Sequence, residues 1–148
     1  MISLDFLQQP IGCLGLALLL GALVGVERQF RHHPAGLHTN ALVALGSAAY
    51  MVAAAGNAGD SPARVMAQIT TGIGFLCGGV IMRDGATVRG LNTAATVWCS
   101  AAVGVLAGAR MPDMAIATTC MIIAANILLH WLEHNVFPKF PSGTHSPD

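Results

Sequence analysis

Charged residues are scarce in this sequence, and their scarcity limits the class of protein that it can encode. The 148 residues include seven Lys or Arg and seven Asp or Glu, 9% in total. A water-soluble globular protein usually carries about a quarter charged residues. Because hydrophobic residues make up 54% of the chain, the composition instead indicates a helical membrane protein. The formal net charge is zero, so nothing favours a nucleic-acid partner.

Motifs that would indicate a disulfide framework, a zinc site or a catalytic centre are also missing. The cysteines lie in apolar runs without the spacing of such modules, and we interpret them as reduced packing residues. Met1–Gln9 has no basic region of the kind that opens a cleavable signal peptide. The sequence contains no nucleophile–base arrangement, phosphate loop or H-E-x-x-H motif, so we expect no enzyme. The cysteines are Cys13, Cys77, Cys99 and Cys120.

Five apolar runs dominate the chain, each of roughly 17–20 residues, which is about what a bilayer core requires. Prolines precede several of them, because the missing N–H of proline costs nothing in the first helical turn. The sequence therefore predicts an all-α integral membrane bundle of five transmembrane helices over residues 1–133, followed by a short irregular cytoplasmic tail over residues 134–148. The predicted spans are Pro10–Val26, Leu37 to about Gly56, Val65–Met82, Leu91–Ala109 and Met114–Leu132.

Basic residues lie mostly on one side of the predicted spans, and this asymmetry predicts their orientation. The loops after the first and third spans, together with the tail, hold five of the seven. We therefore expect the N-terminus outside the cell and the C-terminus in the cytoplasm. The five are Arg28, Arg31, Arg83, Arg89 and Lys139, whereas Arg64 and Arg110 lie on the opposite side.

A short internal similarity is consistent with a duplicated hairpin. Ala35–Ala41 and Arg89–Ala95 share the pattern G-L-x-T-x-A, and Gly25-Val26 matches Gly79-Val80 at the same offset. Spans one and two would then repeat as spans three and four in the same orientation, with span five unpaired. Internal repeats are common in transport folds, but a match this short fits duplication and coincidence equally well.

Glycines four residues apart recur in three of the predicted spans. Small residues at this spacing let membrane helices approach closely. Two interpretations stay open: the pairs pack helices within one bundle, or at least one of these faces forms a homodimer. The pairs are Gly21/Gly25, Gly74/Gly78 and Gly104/Gly108.

The stretch Gly72–Cys99 is the most unusual part of the sequence, because a charged loop, Arg83–Gly90, separates two apolar helices. Charges at the end of a membrane helix need a reason. If the repeat is real, Asp84 and Glu27 lie at the same cytoplasmic depth, beside helix starts rich in hydroxyl and amide groups. We predict a functional polar cluster there, formed by Glu27, Arg28, Thr39, Arg83, Asp84, Arg89, Asn92 and Thr93.

Two interpretations of this cluster compete. In the first, Glu27 and Asp84 pair with arginines and lock the two loops together; the candidate partners are Arg28, Arg31, Arg83 and Arg89. In the second, one or both carboxylates bind a cation or a partner, since Mg²⁺ sites can use one or two carboxylates with retained waters. The arginines weigh against a simple Mg²⁺ pore because they repel a divalent cation. Asn126, within the fifth span, is expected to face the bundle rather than lipid.

Three long motifs are specific enough to indicate a family. They read GALVGVERQF, PAGLHTNALVALG and QITTGIGFLCGGVIMRDGATVRGLNTAATVWC. With them, residues 21–108 resemble the MgtC/SapB family of bacterial inner-membrane proteins. The resemblance implies a five-span transmembrane domain with a cytoplasmic C-terminus. It assigns the family signature to Glu27, Arg28, Gly36, Thr39, Arg83, Asp84, Gly85, Arg89, Gly90, Asn92 and Thr93.

The resemblance also implies a function in growth under magnesium limitation and in survival inside host phagocytes. Family members are described as Mg²⁺ transporters and as regulators of other membrane machinery, including the membrane ATP synthase. We expect a non-enzymatic regulator that is homodimeric and engages a membrane protein partner, with no cofactor unless Mg²⁺ binds. The alternatives are a transporter of Mg²⁺ or another ion that uses Glu27 and Asp84, and a structural membrane scaffold.

Many relatives carry a soluble cytoplasmic domain of ACT-like character after the fifth span, whereas this chain has only a short tail there. Ligand sensing or partner binding by that domain is therefore not expected from these residues. Two explanations stay open, a naturally short chain and a piece of a longer protein.

Overall fold

In the part of the chain that the structure describes, five α-helices form a bundle, as the hydrophobic pattern predicts. The computed structural model describes residues 9–56, 61–84 and 87–135. Most of the predicted tail, residues 136–148, lies outside the described residues, as does Gly85. The elements are α1 Pro10–Phe30, α2 Leu37–Gly56, α3 Pro62–Val80, β1 Met82–Asp84, β2 Thr87–Arg89, α4 Leu91–Gly108 and α5 Pro112–Asn135.

Four of the described helices are long and apolar enough to cross a membrane, namely α1, α2, α4 and the first 18 residues of α5. α3 is not among them, although its 19 residues extend over about 28 Å at 1.5 Å per residue. Its hydropathy is lowered by Arg64 and Gln68, which lie on successive turns of its first half. The five predicted helices are therefore present. α3 is long enough to cross a membrane but is less apolar than those four segments.

Two helix ends differ from the sequence prediction at the charged end of the bundle. α1 continues to Phe30, a full turn beyond the predicted end at Val26, so Glu27 and Arg28 are helical residues. α3 ends at Val80 rather than Met82. Beyond it the charged segment forms an antiparallel hairpin in which Arg83 pairs with Val88. The hydrophobic pattern placed both ends imprecisely because it follows side-chain polarity, whereas helices end where backbone hydrogen bonding changes.

Glycines bring α1 and α4 into backbone contact with α2. A Cβ atom placed on Gly21 would lie 2.6 Å from the Cβ of Ala44, and one on Gly108 would lie 2.6 Å from the carbonyl oxygen of Ala48. Gly25 and Gly104 are equally close to α2 or to the residues that lead into it. At these four glycines the helices pack within the bundle at distances that only a missing side chain permits.

The remaining glycine pair lies on a different kind of surface. No atom lies within 4 Å of a Cβ atom placed on Gly74 or Gly78. Ile73 is the one buried residue of α3. The Gly74/Gly78 face therefore packs against nothing in the described chain, and its use in a homodimer stays a prediction.

The bundle places small polar residues inside and large apolar residues outside, as suits a lipid environment. Ser47, Ser100 and Thr119 are buried. Phe30 and Phe75 are each at least 80% exposed. None of the four cysteines forms a disulfide bond; Cys13 is buried, Cys77 and Cys99 are half-buried and Cys120 is exposed.

The two helical hairpins that the internal repeat would relate, α1–α2 and α3–α4, pack differently. Gly25 contacts the start of α2, whereas its counterpart Gly79 has no atom within 4 Å of its Cβ position. Thr39 is exposed, and its counterpart Thr93 is buried. Residues at equivalent positions of the repeat therefore do not make equivalent contacts.

Candidate functional site: a polar cluster at the end of α1

Arg28 is the largest fully buried side chain of the structure, with 1% exposure. It lies in the last turn of α1, where the helix dipole favours a cation. Its Nη2 donates a 2.7 Å hydrogen bond to Oγ1 of Thr93, while its Nε has no hydrogen-bond partner. A buried charge with one neutral partner is costly to keep. This residue therefore depends on the α1–α4 contact that surrounds it.

Glu27 faces a different neighbour because it precedes Arg28 by about 100° around the helix. Nδ2 of Asn126, on α5, donates a 3.2 Å hydrogen bond to Oε2 of Glu27. Nε of Arg31 lies 2.7 Å from Oε1, one turn along α1. That ion pair lacks the angles of a hydrogen bond, so Oε1 accepts none. Glu27 thus connects α1 to α5, and the expectation that Asn126 faces the bundle is confirmed.

A second buried contact joins the start of α2 to α4. Asn40 is fully buried, and its Nδ2 donates to the carbonyl oxygens of Ala35 and Gly36 at 3.1 and 2.9 Å. Its Oδ1 accepts a 2.8 Å hydrogen bond from Oγ of Ser100. Asn40 therefore satisfies the carbonyls that lead into α2 and closes the turn after α1.

Gly90 connects the hairpin to α4 and so positions Thr93. It adopts φ +88°, in the left-handed region that favours glycine. A Cβ atom at this position would collide with the carbonyl oxygen of Val80. The chain therefore turns tightly from α3 through the hairpin into α4, which brings the first turn of α4 against Arg28.

The structure divides the predicted cluster into a buried and an exposed part. Arg28 and Thr93 come together inside the bundle, and the half-buried Glu27 contacts α5 instead. Thr39 and Asn92 are exposed, as are Arg83 and Arg89 on the hairpin. The side chain of Asp84 lies outside the described residues. The sequence names Arg31 as a possible partner of Glu27 but not as a member of the cluster. It also leaves Asn40, Ser100 and Asn126 out of the cluster, although each asparagine is an amide within an apolar run.

Glu27 pairs with one of the arginines that the first interpretation names, but this ion pair lies at the end of a single helix and does not join the two loops. The ionic partner of Glu27 is Arg31 at the end of the same helix, and Arg28 contacts a hydroxyl group instead of a carboxylate. The residue types around Glu27 also do not suit Mg²⁺, which prefers oxygen ligands and retained water. Among the residues that the structure describes, no three His, Cys, Asp or Glu side chains are grouped so that they could hold a metal ion.

Comparisons with known proteins agree with this architecture. A sequence model of the MgtC family matches residues 14–135. The chain belongs to the MgtC family. Protein MgtC of Salmonella typhimurium strain LT2 is 58% identical over 113 residues, which cover 76% of this chain and 49% of that protein. Protein MgtC of Brucella abortus strain 2308 is 57% identical over 124 residues, 83% of this chain and 52% of the relative.

This MgtC-family chain spans about half the length of the curated relatives that it matches. No solved structure matches it. Family membership and the four membrane-length helices together indicate an integral protein of the bacterial inner membrane.

Proposed function

We propose that this MgtC-family chain is a non-enzymatic regulator of other membrane machinery, acting in adaptation to low magnesium and to virulence-type stress. The membrane ATP synthase is one machine on which it could act. The observation that carries the proposal is the enclosure of the Glu27 carboxylate between Arg31 and Asn126, beside the buried cation Arg28. Such an arrangement holds α1, α4 and α5 together and offers little to a passing divalent cation.

The hairpin is the working surface in this proposal. With the N-terminus outside and the C-terminus in the cytoplasm, it lies at the cytoplasmic end of α3 and α4. Arg83 and Arg89 are exposed there beside Met82 and Val88, which are 69% and 48% exposed. Paired cationic and apolar groups suit a membrane protein partner at the lipid interface. A homodimer through the Gly74/Gly78 face leaves this surface accessible.

Exchange of a hairpin charge tests the proposal in living cells. Arg89→Gln is expected to abolish growth in low-Mg²⁺ medium while leaving the amount of protein in the membrane unchanged. Arg110→Gln is the matched control, since it removes an exposed arginine from the opposite end of α4. Full growth with Arg89→Gln, or an equal loss with both variants, would contradict a working surface on the hairpin.

Transport is the second candidate, and one observation favours it. Oε1 of Glu27 is buried and accepts no hydrogen bond, although Nε of Arg31 lies 2.7 Å from it, so a cation that displaced Arg31 would find a free carboxylate oxygen there. A transporter requires that Glu27→Gln and Asp84→Asn lower ion movement. A structural scaffold, by contrast, would tolerate every hairpin substitution that preserves folding.

A further inference from the structure

A groove between α2 and α3 is a cavity of the described chain that the polar cluster does not explain. Its volume is about 730 Å³, and both helices line it. Sites for small molecules usually measure about 300–1,000 Å³. The groove exists because α3 is held mainly to α4, through contacts such as the 3.2 Å hydrogen bond from Sγ of Cys77 to the carbonyl of Ala94. α3 therefore stands partly away from α2.

The wall formed by α3 changes from charged to apolar along its length. Residues four apart lie on one face of a helix, and this face carries Arg64, Gln68, Gly72 and Leu76 in order. Leu42 and Val43 of α2 extend the apolar part on the opposite wall. A ligand that matches this wall has an anionic head and a long apolar body.

The charged end of the groove is suited to an anion. Arg64 is exposed in the first turn of α3, which contains no acidic residue. It makes no ion pair with any other residue that the structure describes. A cation so close to a helix N-terminus is unfavourably placed, and a neighbouring anion relieves that repulsion.

We propose that the groove binds one acyl chain of an anionic phospholipid, with the phosphodiester group at Arg64. Its open centre accommodates the chain because Gly46 and Gly72 present no side chains and have no atom within 4 Å of their Cβ positions. A second copy of this protein fits less well. Two copies related by a two-fold axis along the membrane normal would place both Arg64 side chains at the same depth, where like charges repel.

Native mass spectrometry of the full chain tests this assignment. Purified protein is titrated with phosphatidylglycerol and, separately, with phosphatidylethanolamine carrying the same acyl chains. We expect one lipid per chain and about tenfold tighter binding of the anionic lipid, equivalent to about 1.4 kcal/mol. Arg64→Gln should make the two affinities equal, because the variant loses the charge that distinguishes the head groups but still buries the acyl chain. Arg64→Lys should restore most of the preference for the anionic lipid.

Two glycine variants separate the groove from the rest of α3. Gly72→Leu fills the groove and is expected to lower retention of both lipids at least tenfold. Gly74→Leu is the matched control, since its position is equally open but does not line the groove. Far-ultraviolet circular dichroism confirms that both variants fold.

Three results would overturn the proposal. They are equal affinity of the unmodified protein for both lipids, unchanged lipid preference in Arg64→Gln, and equal retention by the two leucine variants. A lipid-free species of two chains that Gly72→Leu converts to one chain would assign the groove to a second copy instead.

Discussion

Replacement of Gly104 by alanine should destabilise the bundle, whereas the same replacement at Gly78 should not. A Cβ atom on Gly104 would collide with the carbonyl oxygen of Ala44 and lie 2.8 Å from its carbonyl carbon. Ordinary contacts begin near 3.4 Å, so α4 must retreat from α2 by at least about half an ångström. Backbone atoms cannot rotate away as a side-chain tip can, so the whole helix has to shift.

The expected magnitude follows from two opposing effects. Overpacking typically costs about 1–3 kcal/mol, and a clash with backbone belongs at the upper end of that range. Alanine regains about 0.5–1 kcal/mol over glycine in a helix interior. Gly104→Ala should therefore lower the free energy of unfolding by about 2 kcal/mol. Gly78→Ala should raise it by up to about 1 kcal/mol, because nothing lies within 4 Å of the added methyl group.

Reversible unfolding in mixed detergent micelles, followed by circular dichroism, measures both free energies. Gly78 is a matched control because it also lies inside a helix and receives the same methyl group. Equal shifts in the two variants would refute the close α2–α4 approach. A loss of about 2 kcal/mol in Gly78→Ala alone would show that the α3 face is packed, as a homodimer through that face requires.

Three further predictions concern polar contacts and a helix end. Thr93→Val should lower the free energy of unfolding by about 1.5–3 kcal/mol, because Arg28 loses its hydroxyl partner and charged groups make the stronger hydrogen bonds. Thr93→Ser should restore most of it, whereas equal loss in both would contradict the assigned bond. A double-mutant cycle of Asn40→Ala and Ser100→Ala should give about 0.5–1.5 kcal/mol of coupling, and strict additivity would contradict a direct contact. Arg110, two residues beyond the end of α4, has φ +62°, so Arg110→Gly should raise the unfolding temperature. An unchanged temperature would argue against backbone strain at this residue.

The sequence predicts the helices well because their causes are local. Pro10 and Pro62 start helices in the first-turn position that the sequence suggested. The close contacts of Gly21 and Gly108 also follow from glycine spacing. The sequence pattern could not distinguish these packed glycines from the exposed pair Gly74/Gly78. Which helix faces lack a neighbour depends on how the whole bundle assembles.

The polar cluster was predictable only in part because its partners are distant in sequence. Arg28 and Thr93 are 65 residues apart, and Glu27 and Asn126 are 99 apart. The acidic and basic members of the cluster were identified by their charge. That Arg28 bonds a hydroxyl group and not a carboxylate is a result of helix packing, which the sequence does not reveal. Ser100 gave no sequence signal, because a serine in an apolar helix commonly bonds its own backbone, as this one also does with the carbonyl of Thr96.

The measurement that tests the regulatory proposal most directly is Mg²⁺ entry into sealed liposomes that contain the purified protein and an entrapped indicator. Glu27→Gln and Asp84→Asn remove charge without changing shape and serve as matched variants. Circular dichroism and protease accessibility verify folding and insertion. The proposal predicts no saturable uptake by the unmodified protein, together with loss of low-Mg²⁺ growth in cells that carry Arg89→Gln. Saturable uptake that disappears in Glu27→Gln would contradict it and make this carboxylate an ion ligand.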